Sequence, residues 1–161
     1  MTNALSLFLP MSARQILQNK KRTIILGENT LWLVVDSSLQ GISQINQFLD
    51  LLKQSWSINE KLSTNIYAAV CEATMNAIDH GNKWQEDKSV YISATNDNDS
   101  YTFTIEDEGD GFNYRRIENP TDEDKRSKEG GRGIFIMNYL TDNLHFSENG
   151  RCVKLLFSKE K

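Results

Sequence analysis

A chain of 161 residues that is 39% hydrophobic and 25% charged has the size and composition of one folded domain with a real core. Its net charge of −4 offers nucleic acid and anionic membranes no overall attraction, and no apolar run approaches the roughly 20 residues of a membrane span. The opening "MTNALSLFLPMSARQ" lacks a basic start and does not read as a signal peptide; Cys71 and Cys152 read as free, buried thiols of a reducing cytosol, and with two histidines they form no metal-ligand spacing.

Residues 1–20 carry no clear period and read as an N-terminal extension, with the folded domain at 21–161. "RTIIL" and "LWLVVD" are β-branched and apolar around "GENT", which predicts a hairpin. From Gly41 to Trp56 the positions of Ile42, Ile45, Phe48, Leu49 and Leu52 predict an amphipathic helix. After a polar break at 57–61, a second helix extends to about His80, with Gly81 as its C′ glycine. "GNKWQEDK" is a loop, and "SVYISAT" and "SYTFTIED" alternate as a hairpin around "NDND". Residues 112–130 are charged and aperiodic, and a loop of that length inside a compact domain reads as either functional or disordered. A glycine-led helix follows, then two strands around Asn149-Gly150, a two-residue hairpin signal. Trp32, Trp56 and Trp84 read as packing the core or its edges. Hairpins interspersed with helices predict a mainly antiparallel α/β sandwich with helices on one face of a sheet.

Three stretches carry candidate chemistry. On the second helix, Leu62, Ile66, Ala69, Ala73 and Ala77 form a core stripe, and Glu72, Asn76 and Asp79 fall within a stripe of roughly 60° beside it. Two readings stand: a solvated edge, or the wall of a cavity in which an amide oxygen serves a hard cation and a carboxylate accepts a proton. In "YTFTIEDEGDGF", alternation puts Asp107 on the inward face with Tyr101, Phe103 and Ile105. It is either a turn residue or a buried acid awaiting a donor, followed by Gly109 and Gly111 where the backbone can approach a flat ring. In "KEGGRGIF", Gly130, Gly131 and Gly133 precede a helix whose free N–H groups suit an anion, or they form a flexible loop.

E-x-x-x-N on a helix, D-x-G-x-G after a strand, an aperiodic segment and G-x-G before a helix resemble, in that order, the GHKL ATP-binding fold. That fold is shared by gyrase, heat-shock chaperones, histidine kinases and mismatch-repair ATPases. Within it the chain resembles the anti-sigma factor serine/threonine kinases over roughly residues 30–158. The matching stretches are "EATMNAIDHGNK", "VYISATNDNDSYTFTIEDEGDGFN" and "GGRGIFIMNYLTDNLHFSENG". The resemblance implies an α+β sandwich whose mostly antiparallel, mixed sheet is covered on one face by helices, with residues 112–130 as a mobile lid. It implies ATP and Mg²⁺ as cofactors, Glu72 as general base and Asn76 as Mg²⁺ ligand. Asp107 would read the adenine amino group and Gly109 and Gly111 would line the base. Gly131, Arg132 and Gly133, with Ile134 opening the helix, would hold the phosphates. Asp79 matches the acid that gyrase and the chaperones carry three residues after the Asn. Arg151-Cys152 departs from the threonine that many relatives have after the hairpin glycine.

The implied function is sequestration of a sigma factor and phosphorylation of a serine or threonine on a small anti-anti-sigma (STAS) partner. The implied protein is a cytoplasmic homodimer through the region of residues 23–52, with no direct nucleic-acid or membrane contact. A non-catalytic nucleotide-binding module and an ATPase switch are the alternatives.

Overall fold

A computed structural model of the chain describes residues 24–26, 29–113 and 131–160. The N-terminal extension and most of the predicted lid, residues 114–130, lie outside the described residues. The elements are β1 (Ile24–Leu26), β2 (Thr30–Asp36), α1 (Leu39–Ser55), α2 (Glu60–Asn76), a π-turn (Ala77–Gly81), β3 (Ser89–Asn96), β4 (Ser100–Asp107), α3 (Gly131–Leu140), β5 (Asn143–Ser147) and β6 (Cys152–Ser158).

The strands form one sheet in the order β1-β2-β3-β4-β6-β5. Each neighbouring pair among them is antiparallel, so the expected mixed sheet is antiparallel throughout its described strands. The register lines up Leu33 with Ile92, Ile92 with Ile105, and Ile105 with Val153 across four strands. Because side chains alternate along a strand, that row and its neighbours two residues away form one apolar face. Phe103, Leu155 and Phe157 on it are wholly buried, and Phe103 meets Phe157 edge to face at 5.9 Å. Burying side chains of this kind stabilises by about 1.5–3 kcal/mol each.

The helices cover that face. Ser38 caps α1 by accepting from the Gly41 N–H at 3.2 Å, and Ile45, Phe48, Leu49 and Leu52 face inward. Asn59 caps α2 by accepting from the Leu62 N–H at 2.9 Å. Its buried residues are Ile66, Ala69, Val70, Ala73 and Thr74, while Leu62 is only partly covered and Met75 is exposed. Small alanines bring α2 close to the sheet, and Thr74 remains satisfied by donating to Val70 O at 2.8 Å.

Two local expectations change. Beyond Asn76 the helix widens into the π-turn, with the Asn82 N–H reaching back to Ala77 O at 2.8 Å. Gly81 is therefore not a left-handed helix terminator; the positive φ values fall on Lys83 (55°) and Trp84 (56°). The last hairpin closes through four residues rather than two, with Glu148, Asn149 and Gly150 at φ of 50°, 56° and 87°. Trp56 stacks on Tyr101 at 5.6 Å as core-edge packing, whereas Trp84 is exposed. Both cysteines are free and partly buried, and burial pushes the Cys71 thiol up to about 11.

Candidate functional site

Glu72 and Asn76 stand one turn apart on α2, both half-buried, with the Asn76 amide nitrogen 3.4 Å from Glu72 Oε1. The start of α3 packs onto this pair. A Cβ built on Gly133 would overlap Glu72 Oε1 and stand 3.0 Å from Asn76 Nδ2. The glycine is there because any side chain would displace the acid. Three of the expected residues thus converge: a carboxylate, an amide and a helix start rich in free N–H groups. Arg132 is exposed beside them, and Ile134 packs against the core and anchors the first turn of α3.

Asp107 closes β4 and is only 5% exposed, on the inward face that alternation predicts. Its carboxylate fits against Gly81, where a Cβ would lie 2.6 Å from both oxygens. The Gly109 N–H donates to Asp107 Oδ1 at 2.8 Å. Burial raises the Asp107 carboxyl from 3.8 to about 6, opposed by the Gly109 hydrogen bond and the positive charges of Arg151 and Lys88. Arg151, where the resemblance expects threonine, therefore favours the charged form of Asp107. Gly111 has a φ of 77° and leads the chain beneath Asn149, whose carbonyl accepts from the Phe112 N–H at 2.8 Å.

Asp79 lies on the π-turn that follows Asn76. Its carboxylate accepts from the Trp84 indole N–H at 2.7 Å and lies 3.7 Å from His80 Nε2. A π-turn advances each residue by less than the 100° of an α-helix, so the regular wheel projection ends at Asn76.

Asn76 and Gly81 bracket that single turn, so the Glu72–Asn76 pair and Asp107 open at the same end of the helix layer. Between them sits a residue that pattern reading missed. Asn82 is wholly buried and donates to Ser37 Oγ (2.8 Å) and Ser89 O (2.9 Å) while accepting from the Glu108 N–H (2.8 Å). Glu108 in turn accepts from Ser89 N–H and Tyr91 O–H, both at 2.8 Å. A polar residue in a stretch without periodicity gives no sequence signal that it will be buried.

The arrangement has the parts to hold a phosphorylated ligand: a buried carboxylate packed against glycines, an acid–amide pair, and a helix start. Comparison with known proteins agrees. The histidine kinase-like ATPase domain family matches residues 35–157. Proteins named anti-sigma F factor from three strains of Clostridium perfringens, SM101, ATCC 13124 and 13, are each 35% identical over 100 residues. That match covers 60% of this chain and 71% of each relative. Among the described residues no helix is long and apolar enough to cross a membrane.

Proposed function

The chain belongs to the histidine kinase-like ATPase domain family, and from that premise we propose that it is an anti-sigma factor and an ATP-dependent protein serine/threonine kinase. It sequesters a sigma factor as a cytoplasmic homodimer and transfers the γ-phosphoryl of ATP to a STAS-type anti-anti-sigma partner. The observation that supports this reading is the meeting of Glu72, Asn76 and Gly133, which brings a carboxylate, an amide and a helix start together.

The residues fit Mg-ATP. Asn76 turns its nitrogen toward Glu72, which leaves the amide oxygen for a cation of the kind that prefers oxygen ligands. Bound Mg²⁺ supplies charge neutralisation on the phosphates. Gly131, Arg132 and Gly133, at the start of α3, hold phosphate oxygens with backbone N–H groups and one guanidinium. Asp107 accepts from the exocyclic amino group of adenine, and the glycines at 81 and 109 let the backbone close tightly around that carboxylate. Glu72 takes the proton of the attacking hydroxyl. Phosphoryl transfer of this kind rests on positioning and charge more than on covalent help.

Radiolabelled ATP, with and without a STAS partner, tests the reading. Label on the partner is expected. Free phosphate alone makes the chain an ATPase switch, and nucleotide binding without turnover makes it a binding module.

A further inference from the structure

We infer that Asn82 is the positioning residue for adenine selectivity, acting through Asp107; this rests on the proposed ATP reading. The backbone of residue 82 continues from Gly81, the surface against which the Asp107 carboxylate lies. Its side chain holds the N–H of Glu108, the residue after Asp107. One buried amide therefore sets both walls of the slot in which the carboxylate sits.

The remaining bonds hold that amide still. Its nitrogen bridges Ser37, at the end of β2, and Ser89, at the start of β3. Ser37 is itself fastened to Lys88 O through both its N–H and its hydroxyl, each at 3.2 Å. Glu108 is clamped from its other side by Ser89 and Tyr91. The Asp107 N–H is taken by Arg151 O at 3.1 Å. Four element ends thus meet at Asn82, and the group they fix in direction is a carboxylate with no hydrogen bond to Asn82 itself. A hydrogen-bond acceptor discriminates between rings only if it cannot swing to suit either, so rigidity here is selectivity.

The test compares ATP with inosine triphosphate, whose ring carries an oxo group where adenine carries the amino group. Affinities are measured by calorimetry on the full chain. Asn82→Ala is expected to lower the ATP-to-inosine-triphosphate affinity ratio about tenfold, the equivalent of ~1.4 kcal/mol. Added to Asp107→Asn, it should lower the ratio no further, because both changes remove the same interaction. A variant that melts lower but keeps the wild-type ratio would make Asn82 a structural knot only and overturn the inference. If Asn82→Ala does not fold, Ser37→Ala carries the test, since it removes one of the two partners that hold the Asn82 amide nitrogen and leaves every backbone bond in place; an unchanged ratio there overturns the inference too. A wild-type chain that binds both nucleotides equally refutes the adenine reading itself, and the inference with it.

Discussion

Gly133 lies against Glu72 with no room for a side chain: a Cβ there would overlap Oε1 and stand 2.9 Å from Cδ. The atoms in the way are the far end of a flexible side chain, so Gly133→Ala folds by swinging Glu72 aside. Alanine in a helix is favoured over glycine by about 1 kcal/mol. The melting temperature should hold or rise slightly while phosphoryl transfer falls on the order of a hundredfold, the cost of misplacing a reacting group by an ångström. A variant with wild-type transfer would separate α3 from the chemistry.

Asp107 makes stability depend on pH in a stated direction. Its folded carboxyl is raised from 3.8 to about 6, so the folded state binds the proton more tightly than the unfolded chain. Its contribution is fully present below pH 4, falls as pH rises through 4 to 6, and is lost above. At neutral pH the charged, buried carboxylate costs roughly 3 kcal/mol, less what a substitution loses in contact with Arg151. Asp107→Asn should therefore raise the urea midpoint at pH 8, leave it nearly unchanged at pH 4, and weaken ATP. A variant less stable than wild type at pH 8 contradicts a burial cost that outweighs the help of Gly109, Arg151 and Lys88.

Asn76 and Glu72 should separate in kinetics although they touch. Asn76→Ala should lose Mg-ATP affinity and transfer together. Glu72→Gln keeps the shape and removes the base, so transfer should fall by about 10²–10⁴. ATP affinity should hold or rise, because a negative charge near the phosphates is gone. Equilibrium binding and single-turnover transfer on the two variants check this; a Glu72→Gln protein that transfers at the wild-type rate removes Glu72 as the base.

Gly111→Val probes the turn below the hairpin. A φ of 77° is strained for valine, and its Cβ would overlap Asn149 O, which is backbone and cannot turn away. Left-handed strain alone costs about 1–3 kcal/mol. Urea denaturation should show a lower midpoint with an unchanged slope. Equal midpoints would mean the 149–151 turn yields freely.

The inward phase of Tyr101, Phe103 and Ile105 carried Asp107 to its place because a strand period is simple and the strand is straight to its end. The Glu72–Asn76 pair was legible for the same reason on a regular helix. Asp79 falls on the π-turn beyond that regular helix, a change that leaves no mark in hydrophobic spacing. Gly81 looked like a helix stop because that is a frequent use of glycine after a helix; its actual neighbour, Asp107, is 26 positions away and invisible to local pattern. Asn82 was hidden twice over, as a polar residue in a polar loop whose partners lie 45, 7 and 26 positions off.

The strand order has a consequence for how the chain acquires its site. β3 and β4 meet through a short turn, a local event. The β4–β6 pairing joins Ser100 to Ser158 and must wait until the whole 114–130 segment and α3 have been threaded past. Contacts between such distant positions form late, because loop closure precedes any reward from pairing. The carbonyl of Arg151, which immediately precedes β6, accepts from the Asp107 N–H, so the surroundings of Asp107 mature only with the last strand. During synthesis, a ribosome-bound chain ending before residue 152 has every motif residue named above, Arg151 included, yet lacks the strand that pairs with β4. The Asp107 end of the helix layer is thereby completed by the last strand of the described sheet.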